Sequence, residues 1–227
     1  MNEENNMRLI KLTVGLVVAL TAGTAQAIPT VVNFIDLADG TEYGESGYSS
    51  LDIGIMSITA TKTSLGTATN SAFAYLDRRN AGLGVCGFVS NTGKQGNNGS
   101  NLCLNAAGGS AAGDDNVTTT EALSFSFTQN VTITNIWFNN NHDGGFGAGD
   151  KLTIEGSEYD AVLGYAGDAN AYSTWNILSG QTFDVAYFNE EFYVSAIEFQ
   201  TVPEPVTLWL IGTGLLGFLA AARRKRV

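Results

Sequence analysis

The 227-residue chain contains one histidine, His142, and only two cysteines, Cys86 and Cys103. A closed zinc site takes four Cys or His ligands, so this supply excludes one. Also missing are a Gly-x-Ser-x-Gly elbow, a His-Glu-x-x-His pair and a Gly-rich phosphate loop with its lysine. Their absence closes the standard hydrolase and nucleotide-binding routes. Positive charge is scarce too. Between residues 28 and 201 only Lys62, Arg78, Arg79, Lys94 and Lys151 carry it, whereas all but Glu3, Glu4 and Glu204 of the 22 acidic residues lie there. Such a field repels a phosphate backbone and offers no basic stripe for counterion release, which excludes nucleic acid as a partner. Proline occurs only at Pro29, Pro203 and Pro205, so the breaks in between fall to Gly, Asn, Asp and Ser.

Long apolar runs are confined to the two ends. Arg8 and Lys11 precede an apolar stretch over 12–22, and Ala25-Gln26-Ala27 supplies the small-x-small pattern that signal peptidase accepts. The pattern predicts a signal peptide over residues 1–27, with Ile28 opening the mature chain; an uncleaved N-terminal anchor is the alternative. Because 1–6 is acidic and polar for the start of a signal peptide, Met7 competes with Met1 as the initiator. At the other end Pro203, Glu204 and Pro205 are followed by a 17-residue apolar run, 206–222, then Arg223, Arg224, Lys225 and Arg226. As a helix the run is about 26 Å long at ~1.5 Å per residue, enough to cross a core of ~30 Å if the basic side chains snorkel. The cations hold that end in the cytoplasm.

A plain membrane anchor needs no more than the run and its basic end. The three parts together, over 202–227, resemble the PEP-CTERM sorting signal of bacterial exported proteins. That resemblance implies export and tethering in the inner membrane with the domain in the periplasm. It further implies processing near Pro203-Glu204-Pro205 by an exosortase-type membrane protease, then delivery to the cell surface or extracellular matrix. Gly82-Leu83-Gly84-Val85, followed at a distance by Asp114-Asp115-Asn116, is similar to motifs of the same family. Members of that family mostly lack an assigned activity.

Residues 28–201 are long enough for one domain with its own core. No convincing helix is expected there. Short β-branched or alternating runs at 31–37, 51–55, 58–61, 123–127, 152–154, 182–188 and 192–199 predict strands. Leu123, Phe125 and Phe127 share one face of theirs, and the parity change between Ile133 and Ile136 predicts a bulge near Thr134-Asn135. Roughly eight to ten such strands predict an all-β fold, an antiparallel β-sandwich of jelly-roll type. The Gly-rich stretch 80–116 interrupts the pattern. In an exported chain Cys86 and Cys103 predict a disulfide that clamps it, worth roughly 3 kcal/mol for a loop of this length.

Asn139, Asn141 and Asp143 fall at positions 1, 3 and 5 of the twelve-position calcium loop, Gly144 at its sharp turn and Asp150 at position 12. With two carboxylates the site would be weak, at ~10⁻⁴ to 10⁻³ M. The alternative is a long turn, with His142 exposed on it. Trp137, Trp175, Tyr159, Tyr165 and Tyr172 offer an aromatic platform for sugar rings, or else core. No other cofactor and no catalytic residue is assigned. The expectation is a noncatalytic envelope or matrix protein associated with exopolysaccharide; the alternative is an exported carbohydrate-active enzyme using paired carboxylates, or a glycan-binding module.

Overall fold

The computed structural model describes residues 27–63, 69–90, 101–104, 115–169 and 171–203. Outside these lie Ala25, Glu204, Pro205, the run 206–222 and the cluster Arg223, Arg224, Lys225 and Arg226. Residues Ile28–Val202 form one compact unit. No helix among the described residues is long and apolar enough to cross a membrane.

The strands are β1 (Thr30–Asn33), β2 (Ser46–Tyr48), β3 (Leu51–Ile53), β4 (Met56–Thr63), β5 (Thr69–Asp77), β6 (Gly82–Cys86) and β7 (Glu121–Phe127). They continue with β8 (Val131–Asn139), β9 (Lys151–Ile154), β10 (Ser157–Asp160), β11 (Trp175–Ile177), β12 (Thr182–Tyr187) and β13 (Tyr193–Thr201), with one short helix, α1 (Phe34–Asp39). Their order in space is β10-β9-β12-β7-β4-β5-β6-β13-β8-β11, with β1 added to β13, β2 to β5 and β3 to β4. Every ladder between these strands is antiparallel, so the fold is all-β.

The sheet curls, and β5 is where it turns. Its first half pairs with β4 through Ala72, and from Phe73 onward it pairs with β6. Strands β7 and β13 share no ladder, yet the Phe127 and Phe199 rings meet edge to face 5.2 Å apart. The inner face is apolar because alternation puts it there. Leu123, Phe125 and Phe127 are buried while Ala122, Ser124 and Ser126 are half-buried. Phe125 lies between Phe34 of α1 and Phe183 of β12, at 6.2 and 6.1 Å. Each such fully buried side chain contributes about 1.5–3 kcal/mol.

Three departures from the sequence reading have local causes. The apolar run 31–37 is a strand only as far as Asn33, whose Oδ1 accepts from the Ile35 and Asp36 amides and caps α1. The alternating run 51–55 reverses at Gly54, where φ is +63° and a two-residue turn pairs Ile53 with Met56. Inside the Gly-rich stretch, Gly82–Cys86 forms a fully buried strand. The bulge near Thr134 is present. Asn135 faces Glu198 and Ile133 faces Phe199, leaving Thr134 as the extra residue on β8.

Cys86 and Cys103 are bonded, with Cα atoms 5.8 Å apart. They close a segment that pairs with itself, Ser90 N donating to Leu102 O and Leu104 N to Phe88 O. Asn101 fastens that segment to β2 by donating from Nδ2 to Gly47 O and accepting Gly47 N on its backbone oxygen. Reduction should therefore cost about 2–3 kcal/mol of unfolding free energy in the chain-entropy account. Urea titrations with and without reductant measure the shift, and coincident curves would remove the clamp from the account.

Candidate functional site: an acidic cleft and its neighbouring carboxylates

Strand β5 ends on Asp77, whose side chain is carried into a cleft of about 330 Å³ lined by Glu45, Asp77, Arg78, Arg79, Asp115 and His142. The backbone turns sharply after Asp77, with Arg79 and Asn80 at φ +60° and +68° before β6 begins. His142 comes from the turn after β8. Its Nδ1 is 2.9 Å from Asp77 Oδ2, an ion-pair distance outside hydrogen-bond alignment, and its Nε2 lies 3.2 Å from Arg79 O. The ring stands edge to face with Tyr193, 5.6 Å away.

Asp115 is brought here by glycine. Strand β6 runs so close to the Asp115-Asn116 backbone that a Cβ on Gly84 would stand 2.0 Å from Asp115 O. No side chain fits there. The two sequence motifs Gly82–Val85 and Asp115-Asn116 thus meet, joined also by Val85 N donating to Asn116 O at 3.4 Å. Tyr193 Oη donates to Asp115 Oδ1 at 2.5 Å.

Burial sets the electrostatics. Asp77 is 7% exposed; desolvation and then the Asp115 charge push its carboxyl up to about 7, against the pull of His142. Burial raises Asp115 as well, opposed by its hydrogen bond from Tyr193 and by His142. The Tyr193 phenol is held far above its ordinary value by burial and by Asp115.

A second acidic group adjoins the cleft. Asn116 Nδ2 donates to Asp143 Oδ2 and to Glu191 Oε2, each at 2.8 Å. Thr118 Oγ1 donates to Glu191 Oε1 at 3.1 Å, and Asn140 Nδ2 to Glu190 Oε1 at 3.0 Å. Among the described residues no set of three His, Cys, Asp or Glu side chains converges on one metal position.

The four residues of the calcium-loop pattern are taken up by different hydrogen bonds, with Asn141 N donating to Asn139 Oδ1 at 3.1 Å. Asn139 is buried and donates to Ala81 O and Ser195 Oγ, tying β8 to β13 and to the entry of β6. Asn141 donates to Asn80 O and exchanges hydrogen bonds with Tyr165. Asp143 accepts from Asn116, and Asp150 accepts from Gly147 N within its own turn. Nor do the aromatics form one open face. Trp137 is buried with Nε1 donating to Asp168 O, while Tyr159, Tyr172 and Trp175 stack edge to face. Glu45, Asp77 and Asp115 escaped the sequence reading as a group because they are distant in sequence; the available signal was a lone carboxylate closing the uncharged strand 69–76.

In comparisons with known proteins, residues 201–225 match the PEP-CTERM protein-sorting motif. No curated protein and no solved structure matches the chain.

The raised Asp77 carboxyl has a sign. Folded Asp77 holds its proton up to about pH 7, whereas the unfolded chain releases it near 3.8. Its favourable contribution is therefore full below pH ~4 and is lost as pH rises toward 7. Asp77→Asn removes that loss, so its melting temperature relative to wild type should be higher at pH 8 than at pH 4.5. Thermal unfolding at both values checks this; a difference independent of pH would contradict it.

Proposed function

We propose that this chain, which bears a PEP-CTERM sorting signal at residues 201–225, is a noncatalytic component of the cell envelope or extracellular matrix whose acidic cleft binds exopolysaccharide. The sorting motif is the observation that carries this reading, since it marks an exported protein handled by exosortase. The targeting segments complete it. A signal peptide ending at Ala25-Gln26-Ala27 is removed by signal peptidase, and the span 206–222 with its cytoplasmic Arg223, Arg224, Lys225 and Arg226 holds the domain on the periplasmic side of the inner membrane until the tail is cut. The curled sheet, with Phe127 meeting Phe199 across its interior, is read as a jelly-roll sandwich. Glu45, Asp77 and Asp115 supply acceptors for sugar hydroxyls, and Arg78 and Arg79 supply donors.

One observation favours a second reading, that of a carbohydrate-active enzyme. A carboxyl pushed up to about 7 beside another carboxyl in a cleft is the environment of a general acid. Incubating the full chain with host exopolysaccharide separates the two. Retention of the polymer without new reducing ends supports a binder, and reducing ends that vanish in Asp77→Asn support the enzyme.

Sorting has its own test. Each proline opposes helix at the residue before it. Replacing Pro203, Glu204 and Pro205 together with Ala should leave insertion intact and abolish processing. Full-length protein then accumulates in the inner membrane, as read by fractionation with antibodies to the domain. Unchanged processing would reduce the tail to an anchor.

A further inference from the structure

We infer that the end of the sheet carrying Ile28, Leu178 and Val202 is a lipid-facing rim, which rests on the bilayer surface while the chain is anchored. The rim depends on the reading of 206–222 as a membrane span, and it adds to that reading a face of the domain turned toward lipid.

Four strands end there in one row. Continuing the β1–β13 register, in which Thr30 faces Phe199, brings Ile28 level with Thr201. Thr201 faces Val131 of β8, and Val131 faces Ile177 of β11. The residues just beyond the row are fastened to one another. Val202 N donates to Asn130 O at 2.8 Å, Ser179 N to Asn130 Oδ1 at 2.8 Å and Ser179 Oγ to Thr128 O at 3.0 Å. With neighbouring strands ~4.8 Å apart, the row is about 15 Å long. Ile28, Leu178 and Val202 stand on it 83, 55 and 47% exposed. Charge is missing from the rim. Residues 28–30, 128–131, 178–182 and 200–202 include no Asp, Glu, Lys or Arg, in a domain whose acidic side chains far outnumber its basic ones. The opposite end of β8 and β13 is the reverse, with Asp143 following β8 and Glu190 and Glu191 preceding β13. Anionic lipid repels an acidic end but not an uncharged one, and apolar side chains gain by entering its interface.

What covers the rim follows from where the chain goes next. Val202 is separated from the apolar run only by Pro203, Glu204 and Pro205. Four Cα steps reach at most about 14 Å when fully extended. The headgroup layer takes roughly 5–8 Å of that length, so a span beginning at residue 206 keeps Val202 within ~10 Å of the lipid surface. Interfacial apolar side chains settle ~5–10 Å into the boundary of headgroups and acyl chains, a depth this tether permits. The segment ahead of Ile28 leaves from the same row, so both targeting segments join the domain at one end. Strands β8 and β13 rise ~3.4 Å per residue. With their Val131 and Thr201 ends at the membrane, the other ends, where His142 and Tyr193 meet the cleft, are held about 25 Å out. Docking of the rim therefore turns the acidic cleft away from the lipid.

Fluorescence quenching by lipid tests the rim. The full chain carrying Leu178→Cys, Gln129→Cys or Thr119→Cys is labelled with an environment-sensitive dye without reductant, so that the Cys86–Cys103 bond stays closed. Each is reconstituted into vesicles of phosphatidylethanolamine and phosphatidylglycerol containing a lipid with a nitroxide near its headgroup. Gln129 is exposed on the rim, and Thr119 is exposed at the acidic end, next to the Thr118 that bonds Glu191. Dye at 178 and at 129 should each lose about half its emission while dye at 119 keeps its own, in chain that resists carbonate extraction. Either rim position reports alone if the other variant does not fold. Unquenched dye at 178 and 129 in chain that resists extraction overturns the rim and leaves the anchor standing; a blue shift in that unquenched dye shows a second copy covering the patch. Release of the chain by carbonate overturns the anchor and the rim with it. Equal quenching at 119 lays the domain on its side and overturns the rim alone.

Discussion

The contact between Gly84 and the backbone of Asp115-Asn116 is the constraint from which both acidic groups follow. A Cβ at Gly84 would meet Asp115 O at 2.0 Å and Asn116 Cα at 2.8 Å. The approach sends the two neighbouring side chains to different work. Asp115 goes to Tyr193 and the cleft of Asp77 and His142, and Asn116 goes to Asp143 and Glu191. The segment is held from the other side by Val117, which exchanges backbone hydrogen bonds with Phe192 at 2.7 and 3.3 Å. A glycine-lined strand is thus a seat for polar chemistry that an ordinary side chain would displace.

The curl supplies the rest. Because β5 leaves β4 for β6 after Ala72, its last residue, Asp77, emerges beside the turn that follows β8. The adjoining strand β13 carries Tyr193 and a bulged Ser195, which Asn139 fastens to the entry of β6. Burial near that junction is deep enough to raise Asp77, Asp115 and Tyr193 together. The same packing that makes the core therefore sets the proton affinities at its edge.

Periodicity made the strand faces legible in the sequence. Alternation at Leu123, Phe125 and Phe127 is reproduced in burial, and the parity break at Thr134 is a real bulge. The export and redox logic paired Cys86 with Cys103 correctly. Local polar chemistry was harder to see. The Asn33 cap splits an apolar run, the turn at Gly54 reverses another, and β6 hides in glycines that read as loop. Sites built from distant residues left no periodic trace. Asp77, Asp115 and His142 meet only once the sheet has curled; His142 is the exposed turn residue that the sequence suggests, and its ring also reaches Asp77 and Arg79 O.

The dependence on Gly84 is open to a direct measurement, native-state hydrogen exchange of the full chain carrying Gly84→Ala. The methyl group must push the 115–116 backbone outward, so protection of the Val85 and Val117 amides should fall sharply while β7 and β12, on the other part of the sheet, keep theirs. Unchanged protection at Val85 and Val117 would show that the close approach is incidental and that the two acidic groups owe their positions to something else.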